Sequence, residues 1–519
     1  MKKLIVFNIL LLFFFFLTLC STDLSVQNEN NPDAARALSE PKDVEGLIGG
    51  SYRNWWSNTQ KSYPGMALGV AAWEITSSWG NFGMQNAGTE PRMPYDNRPT
   101  GRYRTAEYPW YGMYRSISAV NDGLVAINKG LKIGEDGKDN PRAKAFAKFV
   151  QGISHGFLGC FIDKAFIFTE DVDLETTQLE LKPYNEVVQA AVQMLEECIQ
   201  ICESNSFTLP DTWINGLPLT NTELAQLAHS YIARFLLQVA RSPEERAQTD
   251  WNKILEHCNQ GIVTDFAPIG DGDYWWDRLK YQGQHPTWVR ASYHTIGVLD
   301  KSGNFQKWIN TPVADRSYIY ITVDDKRITN GDPKSNGTDF GYYGPCQFRP
   351  DRGTYFFSYY MHNRYKYHYD NGATGPMPAF IVTELNLIKA EAMYELGMSG
   401  VADIINQTRV GRGHLPPATD SDSDLLEKLK YEKRIETFLT GSCIAFYDDR
   451  RWGDLTPGTP IHYPVPGKEL EILQMEIYTF GGAGNPGSAP KLSNLPIDIS
   501  LIPKPEGSLR KVDAGLKLE

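Results

Sequence analysis

The chain has 519 residues, with 51 Lys+Arg against 62 Asp+Glu, a formal net charge of −11. That balance excludes a nucleic-acid-binding protein, which needs a basic surface to displace counterions. It also excludes adhesion to anionic lipid through a polybasic patch. Hydrophobic residues make up 41% and aromatic residues 12%, enough for a sizeable core and a large supply of rings. The length predicts about three domains or one large repeat-built unit.

Met1-Lys2-Lys3 is a short positive start, and Leu4 to Leu19 is almost purely apolar. The run falls short of the roughly 20 residues a membrane-spanning helix needs, so it reads as an export signal over residues 1–19. Cys20 stands where the apolar run stops, followed by Ser21-Thr22-Asp23. The arrangement resembles a bacterial lipoprotein signal whose cysteine becomes the lipidated N-terminus, although Leu19 replaces the usual small residue before it. Residues 20–42 are then a lipidated cysteine with a polar tether. The other six cysteines are Cys160, Cys198, Cys202, Cys258, Cys346 and Cys443. No Cys-x-x-Cys pair occurs, so a zinc ribbon or redox motif is not expected.

From Asp43 the apolar spacing becomes helical, to about Ser57, and resumes over Tyr114–Gly130 and Arg142–Phe168. Glu186–Cys202 carries Val187, Val188, Ala191, Val192, Leu195, Cys198, Ile199 and Cys202 as one stripe. Thr220-Asn221-Thr222-Glu223 is a capping box opening the next helix. Trp251–Val263, Thr383–Leu396, Val401–Val410 and Asp424–Thr440 follow. Several come as pairs joined by short turns, which predicts stacked helix–turn–helix units, though no clean 34-residue period is visible.

Long loops rich in Gly, Pro and aromatics separate these helices. Thr76–Arg104 holds Trp79, Phe82 and Tyr95; Asp265–Thr295 holds Tyr274, Trp275, Trp276, Tyr281 and Trp288. Ser317–Asp370 holds Tyr342, Tyr343 and the dense run Tyr355–Tyr369. Loops this long in a compact chain are usually functional.

Enzyme motifs fail on context. Gly152-Ile153-Ser154-His155-Gly156 matches Gly-x-Ser-x-Gly, but that motif needs a strand before the serine and a helix after it. Here helical spacing runs through it, so the glycines read as close helix packing. Asp420-Ser421-Asp422-Ser423-Asp424 resembles the start of a calcium loop, with Leu425 and Tyr431 where Gly and Glu are required. Asp271 and Asp273 are the nearest candidates for a structural calcium; solvated turn residues are the plainer account. No other cofactor is called for.

Three stretches in the last third carry a family resemblance. Leu387-Ile388-Lys389-Ala390-Glu391-Ala392 runs to Gly397 and is followed by Asn406 and Arg409. Next come Glu432-Lys433-Arg434-Ile435-Glu436 through Gly441, and then Asp449-Arg450-Arg451-Trp452-Gly453. His462-Tyr463-Pro464-Val465-Pro466 and Asn121 in Ala119–Gly123 fit as well. In order and spacing these resemble the SusD/RagB family of surface lipoproteins. The chain departs from the pattern at Ser442-Cys443-Ile444 and at its C-terminal tail.

The resemblance implies a mainly α fold: a tetratricopeptide-like helix-pair superhelix of about four repeats, with long irregular loops and minor β content. It implies a single domain over residues 43–519, with the motif region at about 340–519. It also implies a non-catalytic, lipid-anchored protein on the outer membrane, facing the cell exterior. Such a protein hands oligosaccharide, or peptide, to a SusC-like TonB-dependent barrel. The shared acids and arginines between Glu432 and Arg451 are expected to be packed ion pairs.

Function must then lie in the loops. Sugar rings stack their C–H faces on Trp and Tyr, beside polar groups for the hydroxyls. The expected ligand-binding set is Trp79, Phe82, Arg92, Tyr95, Asn97, Trp275, Trp276, Tyr342 and Tyr343, with one ring of the Trp275–Trp276 doublet facing inward. A surface hydrolase on a helical scaffold, using Ser154 or Asp271, is the alternative.

Overall fold

The computed structural model describes residues 38–484 apart from Ser62, Tyr103 and Glu175. The export signal, Cys20, nearly all of the tether and residues 485–519 lie outside the described residues. The frame consists of α1 (Pro41–Thr59), α2 (Glu107–Asn128), α3 (Asn140–Phe161), α4 (Tyr184–Ser204), α5 (Asn221–Gln238) and α6 (Trp251–Asn259). It continues with α7 (Val382–Glu395), α8 (Val401–Arg409), α9 (Leu425–Glu436) and α10 (Ile444–Trp452). From α1 to α8 each helix packs on the next, so α1/α2, α3/α4, α5/α6 and α7/α8 stack as successive pairs. This is the mainly α, helix-pair superhelix expected from the sequence. Among the described residues no helix is long and apolar enough to cross a membrane.

Local chemistry accounts for the helix ends. The Thr220 hydroxyl accepts from the Glu223 N–H at 3.3 Å, and the Thr220 N–H donates to Glu223 Oε2 at 2.8 Å, completing the expected capping box of α5. The Asp420 carboxylate accepts from Gly400 N–H (2.6 Å) and Ala402 N–H (2.7 Å) at the start of α8. The Asp420–Asp424 run therefore caps a helix. α3 stops at Phe161 rather than Phe168, because Ile162 turns extended and Lys164–Phe166 becomes a strand paired with Leu181–Pro183. α9 stops at Glu436, and α10, not expected from the sequence, begins after a stretch where Leu439, Gly441, Ser442 and Cys443 all have positive φ.

The Gly-x-Ser-x-Gly segment lies in mid-α3. Ser154 is wholly buried there, so no substrate reaches it, and the serine-hydrolase alternative fails. A Cβ on Gly152 would lie 2.6 Å from Leu195 of α4, and one on Gly156 only 2.2 Å from the Phe235 ring of α5. Gly156→Leu is expected to destabilise the protein by about 1–3 kcal/mol through overpacking, measured by urea unfolding. An unchanged midpoint would refute the close-packing account.

The C-terminal motif residues form buried ion pairs, as expected, except Arg450, which donates to the carbonyls of Ile461 and Gln238. The Arg327 guanidinium, from the loop before α7, meets Asp325 (2.7 Å), Glu432 (2.5 Å) and Glu436 (2.9 Å). Asp339 is clasped by Arg364 (2.5 Å) and Arg412 (2.8 Å), both of which also reach Glu436. Glu391 of α7 takes Arg451 (2.5 Å) and Arg246 (2.9 Å). The network ties the loop at 325–364 to α9, and α7 to α10.

Candidate ligand-binding face

Short β ladders bring the three aromatic loops together. β1 (Ile75–Thr76) pairs with β5 (Arg290–Ala291), setting the Trp79–Phe82 loop against Trp288. Between them in the chain, β2 (Lys164–Phe166) and β3 (Leu181–Pro183) form the ladder noted above, and β4 (Ile269–Asp271) leads into the Trp275–Trp276 doublet. β6 (Phe340–Tyr342) pairs with β7 (Tyr360–His362), and β8 (Thr374–Pro376) pairs with β4. The β4–β8 ladder lays the short helix Arg278–Gly283 beside Lys366–Asp370.

One group of half-buried rings results. The Phe82 ring lies 5.3 Å from Tyr63 and 6.5 Å from Trp288; Trp288 is 5.4 Å from His285. His285 is 5.5 Å from Tyr369, which is 5.1 Å from Tyr281, and Tyr281 is 5.5 Å from Trp276. The Arg278 guanidinium sits between Phe82 and Trp276, 4.3 Å from each ring centre. Burial pushes its pKa down to about 10, so it stays protonated at neutral pH. Phe82 is held at φ 54°, a left-handed conformation that costs an aromatic residue roughly 1–3 kcal/mol and concentrates at functional sites.

A second group is a tyrosine stack. Tyr318 and Tyr359 stack at 4.4 Å, Tyr359 and Tyr320 at 4.9 Å, and Tyr320 and Tyr342 at 6.1 Å. Tyr343, 47% exposed, joins the groups: it lies under Arg290 at 5.4 Å. It is also near enough to Tyr369 to add to the rise in that phenol's pKa that burial and Tyr281 produce.

The structure divides the expected binding set. Trp79, Phe82, Trp276, Tyr342 and Tyr343 reach this face. Trp79 is the least free, since its indole N–H donates to the Thr287 carbonyl at 2.7 Å. The other four face inward, with Arg92 3%, Asn97 4%, Trp275 5% and Tyr95 7% exposed. Arg92 donates to the carbonyls of Ala71 and Ala87. The Asn97 amide donates to Val465 and Tyr478 carbonyls at 2.9 Å each and accepts from Gly467 N–H. Trp275 stacks on Tyr52 in the core, so it is the inward ring of the doublet. Arg92 and Tyr95 border a cavity of only about 20 Å³, room for a water molecule and not for a sugar.

Sequence reading missed Arg278, Tyr318 and Tyr320, and placed Tyr281, Tyr359 and Tyr369 in the aromatic loops without including them in the binding set. The alternation Tyr318-Ile319-Tyr320 was a usable signal, because extended backbone points such residues the same way. Asp271 and Asp273 are exposed; Asp271 Oδ1 accepts from the N–H groups of Asp273 and Trp275 at 2.8 Å each, forming a turn. Among the described residues no group of three or more His, Cys, Asp or Glu side chains could hold a metal ion.

The architecture matches solved structures. A SusD superfamily protein from Parabacteroides distasonis superposes with a TM-score of 0.55 at 14% identity, covering 87% of this chain and 98% of that one. One from Bacteroides vulgatus gives 0.52 at 16% identity, covering 84% and 97%. A SusD-like carbohydrate-binding protein from Bacteroides fragilis gives 0.50 at 14% identity, covering 80% and 87%. No protein-family model and no curated protein matches the chain. At such identities the likeness shows the fold: this is the SusD fold.

Proposed function

We propose that the protein is a non-catalytic glycan-binding lipoprotein of the cell surface. The observation that carries this reading is the pair of half-buried ring groups, assembled from three separate loops, with the exposed Tyr343 beside them. Flat aromatic faces of this kind take the C–H faces of sugars. The carbohydrate-binding fold relative supports the same assignment. On this reading Trp276, Phe82, Tyr342 and Tyr343 are platform residues, with Trp79 supporting the edge. Cys20 carries the lipid on the outer membrane, and captured oligosaccharide passes to a SusC-like TonB-dependent barrel. The single domain runs from residue 43, with the ligand face on one side of the superhelix frame.

Calorimetric titration of the mature chain against a panel of oligosaccharides and peptide digests tests the assignment. The expected result is a glycan partner whose affinity falls about tenfold or more in Trp276→Ala and in Tyr342→Ala, the loss of one stacking platform. Binding that survives both substitutions, or that is confined to peptides, refutes it. Co-purification from outer membranes with a large β-barrel protein tests the transport partner, and its absence would count against that step.

A further inference from the structure

Among the described residues, the two arginines Arg278 and Arg290 of this face form no ion pair with a carboxylate, whereas Lys61 has Asp273 and Asp271 beside it. Arg278 Nε donates to the Lys61 carbonyl at 2.9 Å. Among the described residues no carboxylate lies within ion-pair distance of the Arg278 guanidinium, and no protein acceptor takes its Nη1 or Nη2 hydrogens. Asp277, its neighbour in sequence, is occupied by the buried Lys280 at 2.9 Å. With the Phe82 and Trp276 rings each 4.3 Å from its centre, the guanidinium keeps its Nη hydrogens to offer.

Two further cations lie alongside. Lys61 Nζ donates to the Asp273 carbonyl at 2.6 Å and lies over Tyr274 and Trp276. The exposed Arg53 lies over Tyr274 at 5.4 Å. Facing them are Asp271 and Asp273, exposed carboxylates of which Asp271 is already engaged by turn amides. In the tyrosine half of the face, the buried Arg290 donates only to the carbonyls of Pro286 and Val289, and its Nε has no partner. In the scaffold, Arg327, Arg364 and Arg451 are met by carboxylates, whereas the buried Arg241 and Arg450 donate Nη hydrogens to backbone carbonyls, which Arg278 does not.

A guanidinium is costly to desolvate without a counter-charge, and its planar edge matches a carboxylate bidentately. Building on the glycan-binding reading of the face, we infer that the site selects uronic-acid-containing oligosaccharides, with the sugar carboxylate held by the Arg278 edge between Phe82 and Trp276. Neighbouring rings then receive the C–H faces of the adjoining residues.

The test is calorimetric titration of the mature protein with oligogalacturonate, oligoalginate and hyaluronan oligomers, each beside its methyl-esterified, neutral form. Maltose- and xylose-based oligomers complete the neutral arm. At least one acidic oligomer is expected to bind tenfold or more tightly than its ester, with affinity falling as salt rises. Arg278→Gln should reduce acidic binding by roughly tenfold to a hundredfold and abolish the preference for the acidic oligomer over its ester. The salt series on the unaltered protein separates acidic from neutral recognition without relying on a variant. Neutral oligomers binding as tightly as acidic ones, insensitive to salt and to Arg278→Gln, would overturn the inference and leave the glycan-binding reading standing. No binding by any acidic or neutral oligosaccharide would overturn both.

Discussion

Arg327→Met is expected to cost about 3–5 kcal/mol of unfolding free energy, the cost of removing one member of a buried ionic cluster. The substitution leaves Asp325 and Glu432, both fully buried, without their common cation. Glu432 keeps the Thr408 hydroxyl at 2.8 Å and a distant Arg409, and Asp325 keeps the Tyr431 hydroxyl at 2.7 Å. The two hydroxyls carry no charge, and Arg409 meets Glu432 only at 3.7 Å and Asp325 not at all. Adding Glu432→Gln should recover part of the loss, since one stranded carboxylate becomes neutral. Arg327→Lys should recover little, because a point charge cannot serve Asp325, Glu432 and Glu436 together. Urea unfolding of the three variants decides the matter, and a loss below about 1 kcal/mol in Arg327→Met would contradict the ionic-rivet account.

Glu74→Gln is expected to stabilise the protein at alkaline pH. Glu74 is 1% exposed; its Oε1 accepts from the Leu439 N–H at 2.7 Å, and the Cys443 thiol lies beside the carboxyl. Burial pushes its pKa up to about 7 from an ordinary 4.5, outweighing the Leu439 and Cys443 contacts. The folded state therefore holds a proton that the unfolded chain releases between these two values. Its contribution is fully present below the unfolded pKa and is lost as pH rises through the folded one. Each pH unit across that window is worth about 1.4 kcal/mol, hence about 3 kcal/mol altogether. The glutamine variant should match the parent near pH 5 and exceed it by up to this amount above pH 8. Parallel pH profiles for the two proteins would disprove the protonated state of Glu74.

Much of the scaffold was legible in the sequence because helical periodicity and capping are local. The α4 stripe and the Thr220–Glu223 box each declare themselves within about five turns of chain. The ends of α3 and α9 were not legible, since long-range partners set them: Ile162 leaves the helix to bridge Tyr463. The aromatic face proposed to bind ligand was half legible. Aromatic enrichment located the three loops and singled out Trp276, Phe82, Tyr342 and Tyr343. Arg92, Asn97, Tyr95 and Trp275 have the same residue chemistry, yet backbone carbonyls and core rings claim them. Only three-dimensional packing separates a polar side chain that completes a loop from one that awaits a ligand. Arg278 escaped notice because an arginine's significance here lies in the acid it lacks, and a missing neighbour leaves no trace in sequence.

The loops bearing the rings are fastened at two- and three-rung ladders, whereas the shared motif residues sit in the ionic cluster beneath. This separates inheritance from appetite. The same division limits transplantation: an exchange of the segment from Tyr342 to Tyr369 between chains of this architecture has to keep Arg364, which clasps Asp339 and reaches Glu436, or the frame goes with it.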